Sequence, residues 1–311
     1  MPKYTFLLPA FKGEYLDEML KSIKAQKYTD FKVVISDDCS PEDLRSICEP
    51  YLSDPRFTYR RNEENMGSKS LVSHWNMLVD MCDTLYLIMA SDDDVYEPQF
   101  LEEIDALVQK YPDVDMFRAR SSDINHLGER EKTEPQLKEL LSHEEFTLHL
   151  YDPSAVGGEA AYCYRTKTLV EKGKVVEFPL AWFSDDATNI MMSVRGCAMT
   201  KEPLFNFRRT GIQITGQWGN PSICTEKVKA TLLFYKWMNA FLASRPATSK
   251  ENEIVRHFHH KVYSNIQNYI FHCSPLKFLP YLYECPNDIG LSKVRMLLHY
   301  MNVLYNKIIK K

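Results

Sequence analysis

Hydrophobic positions in the first third of the chain alternate between two textures. Some are short, continuous apolar runs; others recur every three or four residues along longer stretches. Tyr4–Leu8 reads as a strand that ends at Pro9-Ala10-Phe11. After a turn at Gly13, Tyr15-Leu16, Met19-Leu20 and Ile23 keep a 3.6-residue period, which predicts a helix to about Gln26. Phe31–Ile35 is a second strand, running into Ser36-Asp37-Asp38-Cys39-Ser40. Ser40 followed by Pro41 predicts the N-cap and first residue of another helix. Phe57–Arg60 is a third strand, Asn62–Ser68 a polar loop and Lys69–Met81 a helix. Leu85–Ala90 is apolar or small throughout, as a strand covered on both faces must be. Pro98–Tyr111 predicts a further helix and Val114–Arg118 a further strand. Strand, helix and strand in repeated succession predict a doubly wound α/β fold with a mostly parallel sheet.

The texture then changes twice. Residues 119–150 are polar and charged, predicting a mobile connection with one helix over Gln136–Leu141. Gly157-Gly158 and Ala161–Tyr164 read as a turn into a strand, Asp185–Val194 as a helix and Pro203–Phe207 as a strand. From Thr225 on, long amphipathic helices are expected at Thr225–Leu242, Glu251–Phe271 and Leu291–Ile309.

Charge follows the same division. The 311-residue chain has a net charge of −4, yet residues 222–311 carry 13 Lys and Arg against 5 Asp and Glu. The rest is strongly acidic, which argues against nucleic acid as a partner. The basic tail suggests an anionic membrane surface or an acidic partner, with a solvated helical face as the alternative. With 44% apolar residues, no run approaching the ~18 of a membrane span, and no secretory signal pattern, the chain reads as soluble. Its eight cysteines show no C-x-x-C pair and read as reduced thiols of a cytoplasmic protein.

Candidate chemistry lies at the ends of the expected strands. Asp92, Asp93 and Asp94 follow the Leu85–Ala90 run directly. Three adjacent like charges call for a cation, and a hard divalent ion suits such carboxylates together with substrate phosphates. A solvated acidic turn before the Pro98 helix is the alternative. Phe11 and Asp38, after the first two strands, stand where an open α/β sheet binds a nucleotide: one to stack on a base, the other to accept from a base N–H. No G-x-G-x-x-G follows the first strand and no P-loop occurs, which disfavours a dehydrogenase or NTPase. Asp185-Asp186 heads a helix, where the dipole favours the ionised form required of a general base; an N-cap acid is the alternative. The His257, His259, His260 and Lys261 cluster has no accompanying acid or cysteine and reads as a solvated or membrane-facing stretch.

Four segments carry a family resemblance: LLPAFKGEYLDEMLKSIKAQKYTDFKVVISDDCS, NMGSKSLVSHWN, SDDDVYEP and LFNFRRTGIQIT. Across roughly residues 3–220 the chain resembles the family 2 glycosyltransferases, the inverting nucleotide-sugar enzymes of the GT-A fold. The resemblance implies a GT-A domain over 1–221, with a nucleotide-binding half (1–118) and an acceptor half (119–221), followed by a helical region over 222–311. It implies that Pro9, Phe11 and Asp38 hold the base, with Glu14 ordering that pocket. Asn65, Gly67, Trp75 and Asn76 fall where one branch of the family positions ribose and diphosphate, and Asp92, also on the nucleotide side, is expected to take over part of the role of the first Asp of the family's D-x-D. Asp93 falls on the metal-ligating aspartate, with Asp94 beside it, for Mg²⁺ or Mn²⁺. Asp186, with Asp185, falls on the base. Gly158 and Trp182 are candidates for acceptor contact, against the plainer readings of a turn glycine and a core tryptophan.

Two positions depart from the family pattern: Ser91 replaces the first Asp of the usual D-x-D, and Thr210 replaces a His. The implied activity is metal-dependent transfer, with inversion, of a sugar from a nucleotide-sugar, UDP by default, to a hydroxyl of a saccharide or lipid-linked saccharide. Cell-surface polysaccharide synthesis, in the cytoplasm or peripherally on the inner membrane face, would be its setting. A catalytically inactive sugar-nucleotide binder of the same fold is the alternative. A receiver-like phosphoryl-transfer domain explains neither the length nor Asp185-Asp186.

Overall fold

The computed structural model describes residues 2–211, 219–273 and 275–309. It divides into two compact units, residues 1–177 with 184–210, and residues 178–183 with 211–311.

The first unit is built on one mixed sheet. Its elements are β1 (Tyr4–Ala10), α1 (Leu16–Lys24), β2 (Phe31–Asp37), α2 (Leu44–Cys48), β3 (Phe57–Arg61), α3 (Gly67–Asp80), β4 (Tyr86–Met89), β5 (Val95–Tyr96), α4 (Phe100–Lys110), β6 (Met116–Ile124), β7 (Arg130–Thr133), β8 (Leu140–Leu141), α5 (His143–His149), β9 (Tyr162–Arg165), α6 (Thr166–Glu171), α7 (Ser184–Met192) and β10 (Cys197–Arg208). The sheet runs β3-β2-β1-β4-β9-β6-β10-β5, with β7 on β6 and β8 on β10. β1 is parallel to both β2 and β4. The chain therefore winds outward from β1 to β3 and restarts on β1's other side at β4. That reversal between β1 and β4 opens a crevice at the strands' carboxyl ends. Every residue of β1 except Pro9 is buried, as is all of β4, which explains their unbroken apolar runs. α1 lays Leu16, Met19, Leu20 and Ile23 on the sheet as one stripe.

Several sequence expectations are corrected here. The parallel succession stops at β4, because β9 inserts between β4 and β6 and is antiparallel to both. Residues 119–150 are an extension of β6 followed by β7, β8 and α5; no helix spans Gln136–Leu141. Leu85 lies outside β4 and is 66% exposed. α2 begins three residues later than Ser40-Pro41 suggests, capped by Asp43, whose carboxylate accepts from the Ser46 N–H. The Ser40 hydroxyl instead donates to the Phe11 carbonyl at 2.6 Å.

The second unit consists of α8 (Pro221–Ala243), α9 (Glu251–Ile270), α10 (Pro275–Glu284) and α11 (Lys293–Ile309), together with Phe178–Phe183. Its interior is aromatic: Phe234 stacks on Phe183 at 4.5 Å and meets Phe258 edge-on at 5.6 Å. The sequence pattern missed α10, whose interior Pro280 reads as a helix breaker. Among the described residues no helix is long and apolar enough to cross a membrane. All eight cysteines are free thiols.

Candidate active site

The ends of β1, β2 and β4 meet through side chains that accept backbone hydrogen bonds. The Asp38 N–H donates to the Ala10 carbonyl at 2.9 Å, tying β2 to β1. One Asp92 oxygen accepts the N–H groups of Phe11 and Lys12, each at 2.8 Å, tying β4 to β1. Pro9 sits within β1 opposite Ser36. Phe11 stands free at the crevice with 38% of its surface exposed. Glu14 is exposed, and its carboxylate beside Tyr15 is the main cause that raises the Tyr15 pKa.

Asp38 is buried, and its carboxylate organises the loop that follows β3. Its oxygens accept from the Asn62 side chain at 2.9 Å and from the N–H groups of Met66 and Gly67 at 2.9 and 2.7 Å. Burial works to raise the Asp38 pKa, but these three bonds outweigh it and hold the carboxyl below its usual range. A Cβ on residue 67 would lie 2.9 Å from the Asp38 carboxylate, so glycine is what allows this approach. Behind it, buried His74 meets Ser36 at 3.0 Å and Asn62 at 3.3 Å. Asn65 caps α3 by accepting the Ser68 N–H at 2.8 Å. Trp75 is half-buried on α3. Asn76 clamps Val175, donating to its carbonyl at 3.0 Å and accepting its N–H at 2.9 Å.

The acidic turn treats its three carboxylates differently. Asp92 is held by β1, as above. Asp94 is 2% exposed and accepts the Ser91 hydroxyl on one oxygen and the Arg208 N–H, at 2.9 Å, on the other. Arg208 is itself wholly buried, donating to the Asp93 carbonyl at 2.8 Å and to Glu18 at 2.7 Å and lying over the Tyr15 ring. Burial, then the Asp93 charge, pushes Asp94 up to about 8. Burial, then the Asp92 charge, raises Asp93 to about 6.

Among the described residues no three His, Cys, Asp or Glu side chains converge as a metal cage. What fits a divalent ion is Asp93: partly buried, destabilised as an anion by Asp92, and not consumed by the backbone. A hard cation that takes one or two protein carboxylates and completes its shell with phosphate matches that donor set. Each Asp94 oxygen already accepts one hydrogen bond within the fold, which makes Asp93 the freer carboxylate of the two. Thr210, where the family has a His, has a buried hydroxyl without a partner among the described residues. The rest of the LFNFRRTGIQIT stretch from Ile212 lies outside the described residues.

Asp185 and Asp186 open α7, and the Asp186 N–H donates to Asp185 at 2.9 Å. The chain enters this turn with Leu180, Ala181 and Phe183 all at positive φ (58°, 54° and 69°), a strained approach for residues other than glycine. Nearby lies Glu159, which the linear sequence did not single out. Its carboxyl lies 2.7 Å from the Tyr164 hydroxyl, which is also 2.6 Å from the Asn189 side-chain oxygen. Burial, followed by the Asp185 charge, lifts the Glu159 pKa well above the carboxylate range. The Tyr151 hydroxyl, which feels the Asp186 charge, is buried with no hydrogen-bond partner among the described residues.

The two acceptor candidates both make packing contacts. Gly158 faces the Phe207 ring, 3.0 Å from where a Cβ would stand, and the preceding Gly157 (φ +113°) passes over Ser121. Trp182 belongs to the second unit, donates to Asn265 at 3.2 Å and meets Tyr269 edge-on, with the Lys227 ammonium 4.4 Å over its ring.

Residues 5–171 match the family described as Glycosyl transferase family 2. The poly(ribitol-phosphate) beta-N-acetylglucosaminyltransferase TarS of Staphylococcus aureus is 24% identical over 155 residues, 48% of this chain and 26% of that protein. This chain therefore aligns with only about a quarter of that relative's length. The structure of S. aureus TarS 1–349 in complex with UDP-GlcNAc superposes with a TM-score of 0.69 at 16% identity, covering 97% of this chain and 87% of that one. The mannosyltransferase PcManGT of Pyrobaculum calidifontis, in complex with GDP-Man and Mn²⁺, superposes at 0.54 with 10% identity, covering 97% and 80%.

Proposed function

Because this chain belongs to glycosyl transferase family 2 and is a glycosyltransferase, we propose that it transfers a sugar, with inversion, from a UDP-sugar to a hydroxyl of a cell-surface polymer. The observation that carries the reading is the division of labour in the acidic turn: Asp92 and Asp94 accept backbone hydrogen bonds, and among the described residues the Asp93 carboxylate accepts none. Phe11 offers a stacking face for the base. Asp38 fixes the loop whose backbone borders the ribose and diphosphate, so it acts on the donor through Met66 and Gly67 as well as directly. Asp93 would hold Mg²⁺ or Mn²⁺, which when bound neutralises charge on the departing diphosphate.

Asp186 takes the proton from the acceptor hydroxyl. Its place in the first turn of α7 stabilises the ionised form, and the protonated state favoured at Glu159 avoids a third negative charge beside it. The hydroxyl oxygen then attacks the anomeric carbon as the sugar–phosphate bond breaks on the opposite face, so configuration inverts.

The TarS complexes with UDP-GlcNAc and UDP support a uridine donor, and the name of that relative supports a polymeric acceptor in the cell wall. An exposed apolar stripe on α11 (Val294, Leu298, Met301, Tyr305), flanked by Lys293, supports peripheral contact with an anionic inner membrane face, where a lipid-linked acceptor would be met.

Calorimetric titration of UDP and GDP, with and without Mn²⁺, into wild type and Asp93→Ala tests the donor reading. UDP binding that needs Mn²⁺ and is lost in the variant is the expected result. Binding of neither nucleotide to wild type would sink the UDP reading and leave another donor base or an inactive descendant of the fold.

A further inference from the structure

Two open cavities, about 620 and 560 Å³, lie side by side in the second unit and share Tyr263 and Gly290. Together they form a groove between α9 and the loop and helix that follow α10. On α9 the lining side chains Arg256, His260, Tyr263 and Gln267 recur at helical spacing along one face. At 1.5 Å per residue this stripe is about 16 Å long. Opposite it, in the larger cavity, stand Arg295 and His299.

The groove has apolar walls at Val255, Phe271, Ile289, Leu291 and Met296, with polar groups between them. Arg256 and Arg295 are exposed, one in each cavity, and among the described residues neither has a carboxylate within ion-pair distance. The one carboxylate in the lining, Asp288, is turned aside: its oxygens accept the Tyr235 hydroxyl at 2.7 Å, and His259 lies 3.8 Å away. Between the arginines the groove presents phenol, carboxamide and imidazole groups, which hydrogen-bond hydroxyls. An unpaired guanidinium is a fork for phosphate or carboxylate. Two of them, one in each half of an open groove with both polar and apolar walls, suit an extended ligand with repeated charges rather than a single small anion.

We infer that this groove binds a linear, hydroxyl-rich chain carrying repeated anionic groups, and that it holds the acceptor polymer away from the reacting end. The inference rests on the polymeric-acceptor reading above and deepens it. It also gives a ligand to the histidine-rich stretch of α9, in which His260 lines the groove.

The test uses the full chain and fluorescein-labelled hexamers of glycerol phosphate and of galacturonic acid, with maltohexaose as the neutral control, read by anisotropy. At least one anionic hexamer is expected to bind, and maltohexaose is not. Arg256→Ala and Arg295→Ala should each weaken that binding several-fold and the double variant at least 30-fold, with a shallower dependence on salt. The hexamer whose binding is lost identifies phosphate or carboxylate as the recognised group. UDP titration into the same variants should be unchanged, so failure of the donor reading is scored separately. The inference is overturned if the double variant binds both hexamers as wild type does. It is also overturned if the double variant loses only binding to vesicles containing 30% phosphatidylglycerol, which would make this a membrane face.

Discussion

Two acidic clusters in this glycosyltransferase are built from the same residue type and treated in opposite ways. In the Ser91–Asp94 turn, backbone N–H groups and a serine hydroxyl consume Asp92 and Asp94, which leaves Asp93 as the carboxylate for outside use. At the start of α7, Asp185 and Asp186 keep their place at a helix N-terminus, while Glu159 beneath them is pushed toward its neutral form. One cluster leaves a single carboxylate free by bonding its neighbours; the other sets two acids at a helix start beside a carboxyl that burial keeps toward its neutral form. A count of acidic residues therefore says little about which carboxylate does chemistry.

The largest test of this contrast is Asp186→Asn. Loss of the base should lower kcat by about 10²–10⁴-fold with UDP affinity unchanged; a mild effect would move the base role elsewhere in the cluster.

Next comes the split within the turn. Asp93→Ala should lower Mn²⁺-dependent activity by on the order of 10²-fold, because metal stabilisation of the leaving group is worth several kcal/mol, with little change in thermal stability. Asp94→Ala should do the reverse, costing about 1–3 kcal/mol of stability by orphaning the Arg208 N–H. Equal stability losses in the two variants would erase the distinction.

A third carboxylate shows what full commitment looks like. Buried Glu134 meets Arg118 through two hydrogen bonds, of 2.5 and 3.0 Å, and accepts the Ser121 N–H at 2.8 Å. Burial works to raise its pKa, but the Arg118 charge and the hydrogen bonds prevail and hold it at about 2 against an ordinary 4.5. A depressed carboxylate contributes stability above its unfolded pKa and loses it as pH falls through the folded one. About 3 kcal/mol should therefore disappear between pH 5 and pH 2. Glu134→Gln should be less stable at pH 7, with a flatter dependence below pH 5, as read by chemical denaturation.

The smallest effect is expected at Gly67. Gly67→Ala puts a methyl against the Asp38 carboxylate, 2.9 Å away, and should weaken UDP binding by about 10-fold through the displaced loop, roughly 1.4 kcal/mol. Unchanged affinity would separate Asp38's loop contacts from donor binding.

Much of the first unit was legible because strands buried on both faces have no choice of residue type. The apolar runs of β1 and β4 therefore stand out, and their ends locate the crevice. β9 was illegible as the strand that interrupts the parallel order, since its place depends on pairing Tyr162–Arg165 with residues 77–79 positions earlier at β4 and 44–48 positions earlier at β6. Asn62, His74, Arg208 and Glu159 carried no local signal either; each acquires its role from a partner elsewhere in the chain. Gly158 and Trp182 carried a signal that reads two ways, because close packing against a ring uses the same residues as ligand contact.

The sequence alone determined that acids would crowd the carboxyl ends of buried strands: an apolar run that stops at three aspartates leaves them nowhere else to be. Which aspartate stays available was decided only in three dimensions. Asp92 meets its donors 81 and 80 residues away at Phe11 and Lys12, and Asp94 meets its own 114 residues away at Arg208. A carboxylate's availability is set by the hydrogen bonds it already accepts, and those exist only once the sheet has brought distant backbone N–H groups to the same crevice.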